Sequence, residues 1–250
     1  MVHYMVSYIM LQDFLQGVTE LVFPDNCFLC RKYLNNSHQE QLCPNCWQAV
    51  VANTPPFCLK CSRHLTIFND QGLCASCLKI TPSFDVAWSA CLYEQPLTDL
   101  IHSFKYYGKT ALKKTLSQLM INFVETYQIP LDNFDVVVPI PLHPARYRER
   151  GFNQAELLSQ IISSHCHLTH RTDILSRWKF TPSQTKQEAK QRWTNMHDAF
   201  RINNFQDVAD KSILIVDDLL TTAATTDAAS KALKNTGAAY VGVLTLAITP

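Results

Sequence analysis

The chain has 250 residues, of which 47% are hydrophobic and 17% are charged, and its formal net charge at pH 7 is +1. This composition is ordinary for a soluble globular protein of one or two domains, and the near-neutral charge excludes a whole-molecule field that would attract nucleic acid. The charge is unevenly spread, because residues 140–192 contain nine lysines and arginines against four acidic residues. A basic surface would therefore be a local one.

Residues 1–23 are rich in apolar side chains, but they include Asp13 and Glu20 and lack the basic start of a signal peptide. This pattern predicts neither an export signal nor a membrane span. Apolar residues recur at helical spacing between Phe14 and Val22, which predicts a short amphipathic helix. We therefore expect a cytoplasmic protein with no stable membrane insertion.

Eight of the ten cysteines form four C-x-x-C pairs, and twelve residues separate the first pair from the second and the third from the fourth. The equal spacing indicates an internal duplication, and without an export signal a disulfide framework is disfavoured. Two such pairs supply the four thiolates that zinc prefers, so we predict two structural zinc ions in a double zinc ribbon over residues 24–80. Disulfides, unligated thiols and an interleaved ligand pairing remain as alternatives. The predicted ligands are Cys27, Cys30, Cys43, Cys46, Cys58, Cys61, Cys74 and Cys77.

Beyond a short linker at residues 81–83, apolar strands alternate with helical stretches, which is typical of an α/β domain with a parallel sheet. Strands are predicted at residues 84–93, 134–142 and 239–248, and helices at about 96–104 and 110–127. Cys91, in the first strand, is expected to be a small buried hydrophobic residue. This second domain would span residues 84–250.

Two basic stretches follow helical or strand segments in this domain. Lys105 lies among Phe104, Tyr106 and Tyr107, a combination that can stack on nucleotides, although core packing of Phe104 and one tyrosine is a plainer alternative. Arginines 146, 148 and 150 come before a helix predicted to continue to about residue 163, where they suit a diphosphate; a solvated helix start is the alternative. The residues predicted to bind nucleic acid are Lys105, Tyr106, Arg146 and Arg148.

A third stretch combines a buried strand, Ile213–Asp218, with a loop rich in threonine and alanine and a helix at about residues 228–234. Strand, loop and helix in that order place free backbone N–H groups and the positive end of a helix dipole where a phosphate would bind. Asp217 and Asp218 could accept hydrogen bonds from two sugar hydroxyls. A buried strand followed by an ordinary threonine-capped helix is the alternative.

The cysteine pairs, FKYYG, VVVPIPLHPARYRERGFNQAELL and ILIVDDLLTTAATT occur in one order that resembles the ComF (ComFC/GntX-type) family. The resemblance covers residues from about 15 to 246 and implies a type I phosphoribosyltransferase-like parallel sheet flanked by helices, with an N-terminal Cys-rich double zinc ribbon. It also implies that phosphoribosyl diphosphate (PRPP) binds with Mg²⁺, with Asp217 and Asp218 at the catalytic positions. The residues implied to bind this cofactor are Asp217, Asp218, Thr221, Thr222, Ala223, Ala224, Thr225, Pro139, Ile140, Pro141 and Arg150.

Two departures from the family pattern are visible. The family usually has glycine where this chain has Ala223, and glycine permits a positive φ and a close approach to a ligand. We therefore expect weak binding of PRPP. Lys186 and Gln187 replace a usual Gly-Leu in a polar stretch, residues 181–195, which is predicted to close over PRPP as a lid.

Two functions follow from the resemblance. The first is a competence or DNA-utilisation factor that binds single-stranded DNA, through both domains, and PRPP during DNA uptake or natural transformation, together with uptake machinery such as a competence helicase. The alternative is a nucleotide-salvage phosphoribosyltransferase that transfers ribose 5-phosphate to a base. We favour the first, because the expected last strand leaves little chain for a base-recognising hood.

Overall fold

The computed structural model describes residues 26–34, 41–67, 69–179 and 198–250. The chain divides into two compact units, residues 1–49 and 50–250, so the boundary falls between the two four-cysteine motifs. The second motif thus belongs to the same unit as the sheet. The predicted N-terminal amphipathic helix, residues 1–23, and the predicted lid, residues 181–195, lie outside the described residues.

The helices and strands of the described residues alternate through the second unit, as expected for an α/β domain. The helices are α1 (Pro44–Gln48), α2 (Ala75–Lys79), α3 (Leu97–Tyr106), α4 (Lys113–Thr126), α5 (Pro144–Arg150), α6 (Gln154–His165) and α7 (Ala224–Asn235). The strands are β1 (Val86–Leu92), β2 (Val136–Pro139), β3 (Thr169–His170), β4 (Leu175–Arg177), β5 (Phe200–Ile202), β6 (Ser212–Leu220) and β7 (Tyr240–Ile248).

Five strands form a sheet in the order β1-β7-β6-β2-β3, and every neighbouring pair is parallel. This confirms the predicted parallel α/β sheet. Strands β4 and β5 form a separate antiparallel pair. Strand β6 is nearly continuous in apolar residues because it lies between two strands and is covered on both faces.

Helices cover both faces of the sheet. On one face, Ile213 and Ile215 of β6 share a buried cluster with Ala229 and Leu233 of α7. Helices α4 and α6 pack against each other and against strands of the sheet. Because side chains alternate along a strand, the buried Leu214 of β6 belongs to the opposite face. Cys91 is buried as predicted, and burial raises the pKa of its thiol to about 12.

Strands β3, β4 and β5 have no counterpart in the sequence prediction, and two predicted stretches are built differently. The arginine stretch that was expected to precede a helix is itself helix α5, which Gly151 ends with φ +82°; the predicted helix then begins as α6, whose first turn the Asn153 side chain caps. Strand β6 continues two residues past Asp218, since Leu219 and Leu220 still pair with β7. Neither difference changes the predicted order of elements.

The helices in the described part of the chain are all too short or too polar to cross a membrane.

Candidate functional site

The eight paired cysteines form two clusters, each grouped as the equal spacing favours. Cys27, Cys30, Cys43 and Cys46 make one cluster, and Cys58, Cys61, Cys74 and Cys77 make the other; within each, all four Sγ atoms lie within 4.8 Å of one another. The Sγ atoms of Cys30 and Cys43 lie 3.5 Å apart, and those of Cys61 and Cys74 lie 3.6 Å apart. Tetrahedral zinc with bonds of about 2.3 Å needs sulfur atoms about 3.8 Å apart, so both clusters fit the ion. Four thiolates fill the shell, which makes each site structural.

The acid pair lies near the carboxyl end of β6, the middle strand of the sheet. Pairing between β2 and β6 ends with Pro139 opposite Val216, one residue before Asp217. The acids therefore stand where β2 leaves the sheet, which is the place where open α/β sheets bind ligands. Asp217 and Asp218 are only 7% and 3% exposed, and the backbone N–H of Asp218 donates to Asp217 Oδ1 at 2.9 Å.

Lys105, at the end of α3, forms an ion pair with Asp218 Oδ2. Burial works to raise the pKa of Asp218, but the Lys105 ammonium outweighs it and holds this pKa below its usual value. Burial, and then the charge of Asp218, raise the pKa of Asp217 well above the usual range of an aspartate. The structure thus places Lys105 beside the acid pair, and the nucleic-acid contact predicted for it stays a prediction.

The loop between β6 and α7 has the form predicted for a phosphate site. Ala223 adopts φ +62° at the start of α7, in the left-handed region that favours glycine, and its carbonyl accepts from the Asp227 N–H at 2.8 Å. Thr221, Thr222 and Thr225 are half-buried, and Ala224 is buried as the first residue of the helix. A phosphate bound here would meet the unpaired N–H groups of the first turn of α7.

The segment Pro139–Pro141 offers few backbone donors to a diphosphate. The Ile140 N–H donates to the Val216 carbonyl at 2.9 Å, and prolines carry no N–H. The Ile140 carbonyl in turn accepts from Asn153 Nδ2 at 3.0 Å. The segment is therefore held rigidly, and the donors for a diphosphate would come from the arginines that follow it.

Gln154 connects the acid pair to these arginines. Its Nε2 donates to Asp218 Oδ1 at 3.3 Å, and its Oε1 accepts from the guanidinium of Arg150. The same guanidinium lies over the ring of Tyr106, 5.3 Å from the centroid. Tyr106 follows Lys105 in the chain, and Lys105 pairs with Asp218. The contacts therefore form a closed circuit that runs from Asp218 to Gln154, Arg150 and Tyr106 and returns through Lys105.

An exposed aromatic surface adjoins this circuit at Tyr106. The side chains of Tyr106, Tyr107 and Tyr147 are exposed, and the His102 ring lies 4.8 Å from Tyr106 and 5.5 Å from Tyr107. Phe104 is fully buried against Phe152, so it belongs to the core, which is the plainer alternative for that residue. We call Tyr106, Tyr107, His102 and Arg150 the aromatic–arginine surface.

The three arginines of α5 do not share one face. At about 100° per residue, Arg146 and Arg150 lie on the same side of the helix, whereas Arg148 is turned about 200° from Arg146. Arg148 is exposed and Arg146 half-buried. The alternation that suggested a single patch is therefore a strand-like pattern on a helical segment.

Sequence reasoning missed the buried polar residues that join these parts. Asn153 and Gln154 are 7% and 6% exposed, and each links two elements around the site. Both lie in the GFNQ stretch that carried part of the family resemblance. The partner of Lys105 was also missed, because residues 105 and 218 are adjacent only in the fold.

Comparison with known proteins agrees with this architecture. The family described as a double zinc ribbon domain matches residues 18–79, and the phosphoribosyl transferase domain matches residues 126–249. The chain is 31% identical over 230 residues to competence protein F of Haemophilus influenzae, covering 90% of this chain and 97% of that one. It is 30% identical over 235 residues to the DNA utilization protein YhgH of Escherichia coli, covering 92% of this chain and 99% of the relative.

A more distant relative is competence protein ComFC of Streptococcus pneumoniae, 29% identical over 154 residues, which cover 62% of this chain and 64% of that one. The chain is thus a double zinc ribbon protein with a phosphoribosyltransferase domain. It belongs to the ComF family, whose members here carry the names of competence and DNA-utilisation proteins.

Proposed function

We propose that this chain is a cytoplasmic ComF-type factor in DNA uptake that binds PRPP with Mg²⁺ and single-stranded DNA at adjoining sites. The observation that carries the proposal is the circuit of contacts that joins the buried acid pair to the aromatic–arginine surface through Gln154 and Arg150. The names of the relatives supply the biological context, which is competence and DNA utilisation. The uptake machinery, such as a competence helicase, is the partner to look for.

PRPP would use each part of the site for a different group. Asp217 and Asp218 would accept hydrogen bonds from the ribose hydroxyls, and the loop Thr221–Thr225 would hold the 5′-phosphate at the start of α7. Arg150, with Arg146 on the same face of α5, would contact the diphosphate, whose remaining charge Mg²⁺ offsets. Lys105 would stay paired with Asp218, and its ammonium group would keep this carboxylate ionised.

Single-stranded DNA would use the neighbouring exposed rings. Stacking of bases on tyrosine or histidine contributes about 1–3 kcal/mol per base and tolerates any sequence. Arg150 supports the Tyr106 ring and, together with the exposed Arg148 on the other side of α5, would contact backbone phosphates. With a net charge of only +1, affinity must come from this local surface.

The salvage transferase remains the second candidate, because an acid pair beside a threonine-rich phosphate loop would also serve that reaction. Mixing the protein with PRPP and each free base, and measuring release of diphosphate, decides between the two. Turnover with one base would replace the proposal. No release with any base, together with DNA binding, would support it.

The direct test measures binding of a labelled oligonucleotide by fluorescence anisotropy, at several salt concentrations, with and without PRPP and Mg²⁺. We expect the logarithm of affinity to fall with the logarithm of salt by about 0.7 per phosphate contacted. PRPP should weaken DNA binding by about threefold to tenfold, because it claims Arg150 without covering the rings.

The matched variants are Tyr107→Ala, which removes a stacking ring outside the circuit, and Arg150→Gln, which removes the shared group. Tyr107→Ala should weaken DNA binding alone, whereas Arg150→Gln should weaken both ligands. Complete displacement of DNA by PRPP would assign the arginines to the nucleotide site only. Binding that is insensitive to salt, or unaffected by both variants, would refute the proposed DNA surface.

A further inference from the structure

The two zinc ribbons are residue-by-residue repeats. Each cysteine of the second ribbon follows its counterpart in the first by 31 residues. The Cys27 N–H donates to the Lys32 carbonyl at 2.7 Å, and at the same shift the Cys58 N–H donates to the Arg63 carbonyl at 2.7 Å. Lys32 and Arg63 are therefore equivalent positions.

The second ribbon is bound to the edge of the sheet. The Ala87 N–H of edge strand β1 donates to the Lys60 carbonyl at 2.8 Å, between the cysteines of one knuckle. The buried Asn53 donates from Nδ2 to the carbonyl of Ser62 at 2.8 Å and to that of Ser89 at 3.0 Å. Unpaired groups of an edge strand are thereby covered by the ribbon.

Aromatic packing holds the same ribbon against a helix. The ring of Phe57 lies 5.9 Å from Phe123 and 5.3 Å from Tyr127, at α4 and its carboxyl end. Backbone pairing and ring packing together fix the position of the knuckle Cys58–Arg63 relative to the sheet. A side chain on this knuckle can therefore position a group of the sheet domain.

Arg63 makes such a contact. Its Nη2 donates to the carbonyl of Thr221, at the start of the phosphate loop, at 3.3 Å, and its Nη1 donates to the carbonyl of Pro250 at 3.1 Å. The hydroxyl of Thr249 lies 3.5 Å from the same Thr221 carbonyl, and the Thr249 N–H donates to Leu220 at 3.0 Å. The guanidinium thus ties the end of β6 to the end of the chain's last strand.

We propose that Arg63 is a positioning residue of the phosphate loop. The second zinc ribbon would then support the PRPP site through this side chain. Zinc, when bound to the second cluster, closes the knuckle from which Arg63 extends. Arg63 then holds the Thr221 carbonyl, and with it the conformation of Thr221–Ala223 ahead of α7. Lys32 occupies the equivalent position in the first ribbon, within the other compact unit and exposed. The expected effect on PRPP affinity rests on the proposed function, whereas the contact between Arg63 and the Thr221 carbonyl does not.

The test compares Arg63→Ala, Arg63→Lys and the matched control Lys32→Ala in the zinc-loaded full chain. Hydrogen–deuterium exchange of residues 221–226 reads the loop, and calorimetry with PRPP and Mg²⁺ reads the site. A hydrogen bond from a charged donor corresponds to about tenfold or more in an equilibrium constant, so Arg63→Ala should speed loop exchange and weaken PRPP binding by about tenfold. Arg63→Lys keeps one donor to a carbonyl and should restore part of both effects, while Lys32→Ala should match the wild type.

The outcomes separate this inference from the proposed function. Loop exchange in Arg63→Ala and Arg63→Lys equal to that in Lys32→Ala would overturn the role of Arg63, even if PRPP binds. A wild type that does not bind PRPP, with a loop that still loosens in Arg63→Ala, would sustain the positioning role and refute the PRPP proposal. Equal effects of Arg63→Ala on the loop and on β6 and β7 would show general destabilisation and also overturn it.

Discussion

At the scale of single residues, Ala223 carries the clearest conflict between residue type and conformation. Its φ of +62° lies where a Cβ is unfavourable by roughly 1 kcal/mol, and glycine removes that cost. Strain kept at a loop between a strand and a helix is characteristic of functional sites. The resemblance to the family points to the same position, because the family usually has glycine where this chain has Ala223.

Ala223→Gly should therefore stabilise the protein by about 1 kcal/mol and tighten PRPP binding by about threefold to tenfold, because backbone N–H groups can approach the phosphate more closely. Denaturant unfolding and calorimetry measure the two effects. Ala224→Gly is the control: Ala224 has helical geometry, so glycine there should destabilise by about 1 kcal/mol. Similar effects of the two substitutions would contradict this account of Ala223.

Asp217 illustrates a different conflict at the same scale, between stability and binding. A buried carboxyl with a raised pKa stabilises the fold fully below its unfolded pKa and loses that contribution as pH rises through the folded value. Asp217→Asn keeps the oxygen that accepts from the Asp218 N–H but carries no charge. We therefore expect the variant to have a higher melting temperature than the wild type, by an amount that grows as pH rises above about 4, the ordinary pKa of an aspartate.

Thermal unfolding of both proteins across that pH range checks this prediction, with zinc content measured at each pH because thiolate ligands protonate in acid. Glu149→Gln is a suitable control, since Glu149 is an exposed acid on α5. A variant less stable than the wild type at every pH would show that the Asp217 charge is stabilised by the fold.

At the scale of elements, the two ribbons look alike in sequence but have different surroundings. The chain's compact units separate them, and the second ribbon shares a unit with the sheet. The equal spacing of the cysteine pairs predicts one double-ribbon domain, because it reveals a duplication but not what each copy packs against. The contacts of Asn53, Phe57 and Arg63 join residues far apart in the chain, which local patterns do not encode.

Cys43→Ser and Cys74→Ser form a matched pair, since each removes the third ligand of its cluster and each residue precedes a short helix. Either change should reduce zinc from two ions to one, by elemental analysis. Cys43→Ser should leave PRPP binding within about twofold of the wild type, whereas Cys74→Ser should weaken it by about tenfold or more. Equal losses in both variants would contradict the assignment of only the second ribbon to the site.

For the same reasons, different parts of the site were predictable to different degrees. The parallel sheet and its strand–loop–helix unit follow from runs of apolar residues such as Ile213–Val216 and from the Ala-rich helix, which are local signals. The break at Gly151 follows from local signals, a glycine that ends α5 and the Asn153 cap of α6, whereas the pairing of Lys105 with Asp218 depends on a tertiary contact. The spacing of the α5 arginines does not by itself define one surface, because residues two apart share a face on a strand but lie on nearly opposite faces of a helix.

At the scale of the whole molecule, the sheet brings segments that are distant in the chain together at the carboxyl end of its middle strands. Lys105 at the end of α3, Arg150 at the end of α5 and the loop before α7 all lie around the point where β2 leaves β6. The aromatic–arginine surface continues from there through Tyr106. Both proposed ligands would contact Arg150, and by linkage the effect of PRPP on DNA affinity would then equal the effect of DNA on PRPP affinity.

The most direct measurement is a calorimetric titration of PRPP with Mg²⁺ into the zinc-loaded wild type and into Asp217→Asn. We predict one saturable site per chain in the wild type and an affinity at least about tenfold lower in the variant, because an amide cannot ionise to the carboxylate that a ribose hydroxyl and Mg²⁺ would stabilise at Asp217. The variant should be the more stable protein, so its loss of binding cannot be attributed to unfolding. No binding by the wild type, or equal affinity of the two proteins, would contradict the account.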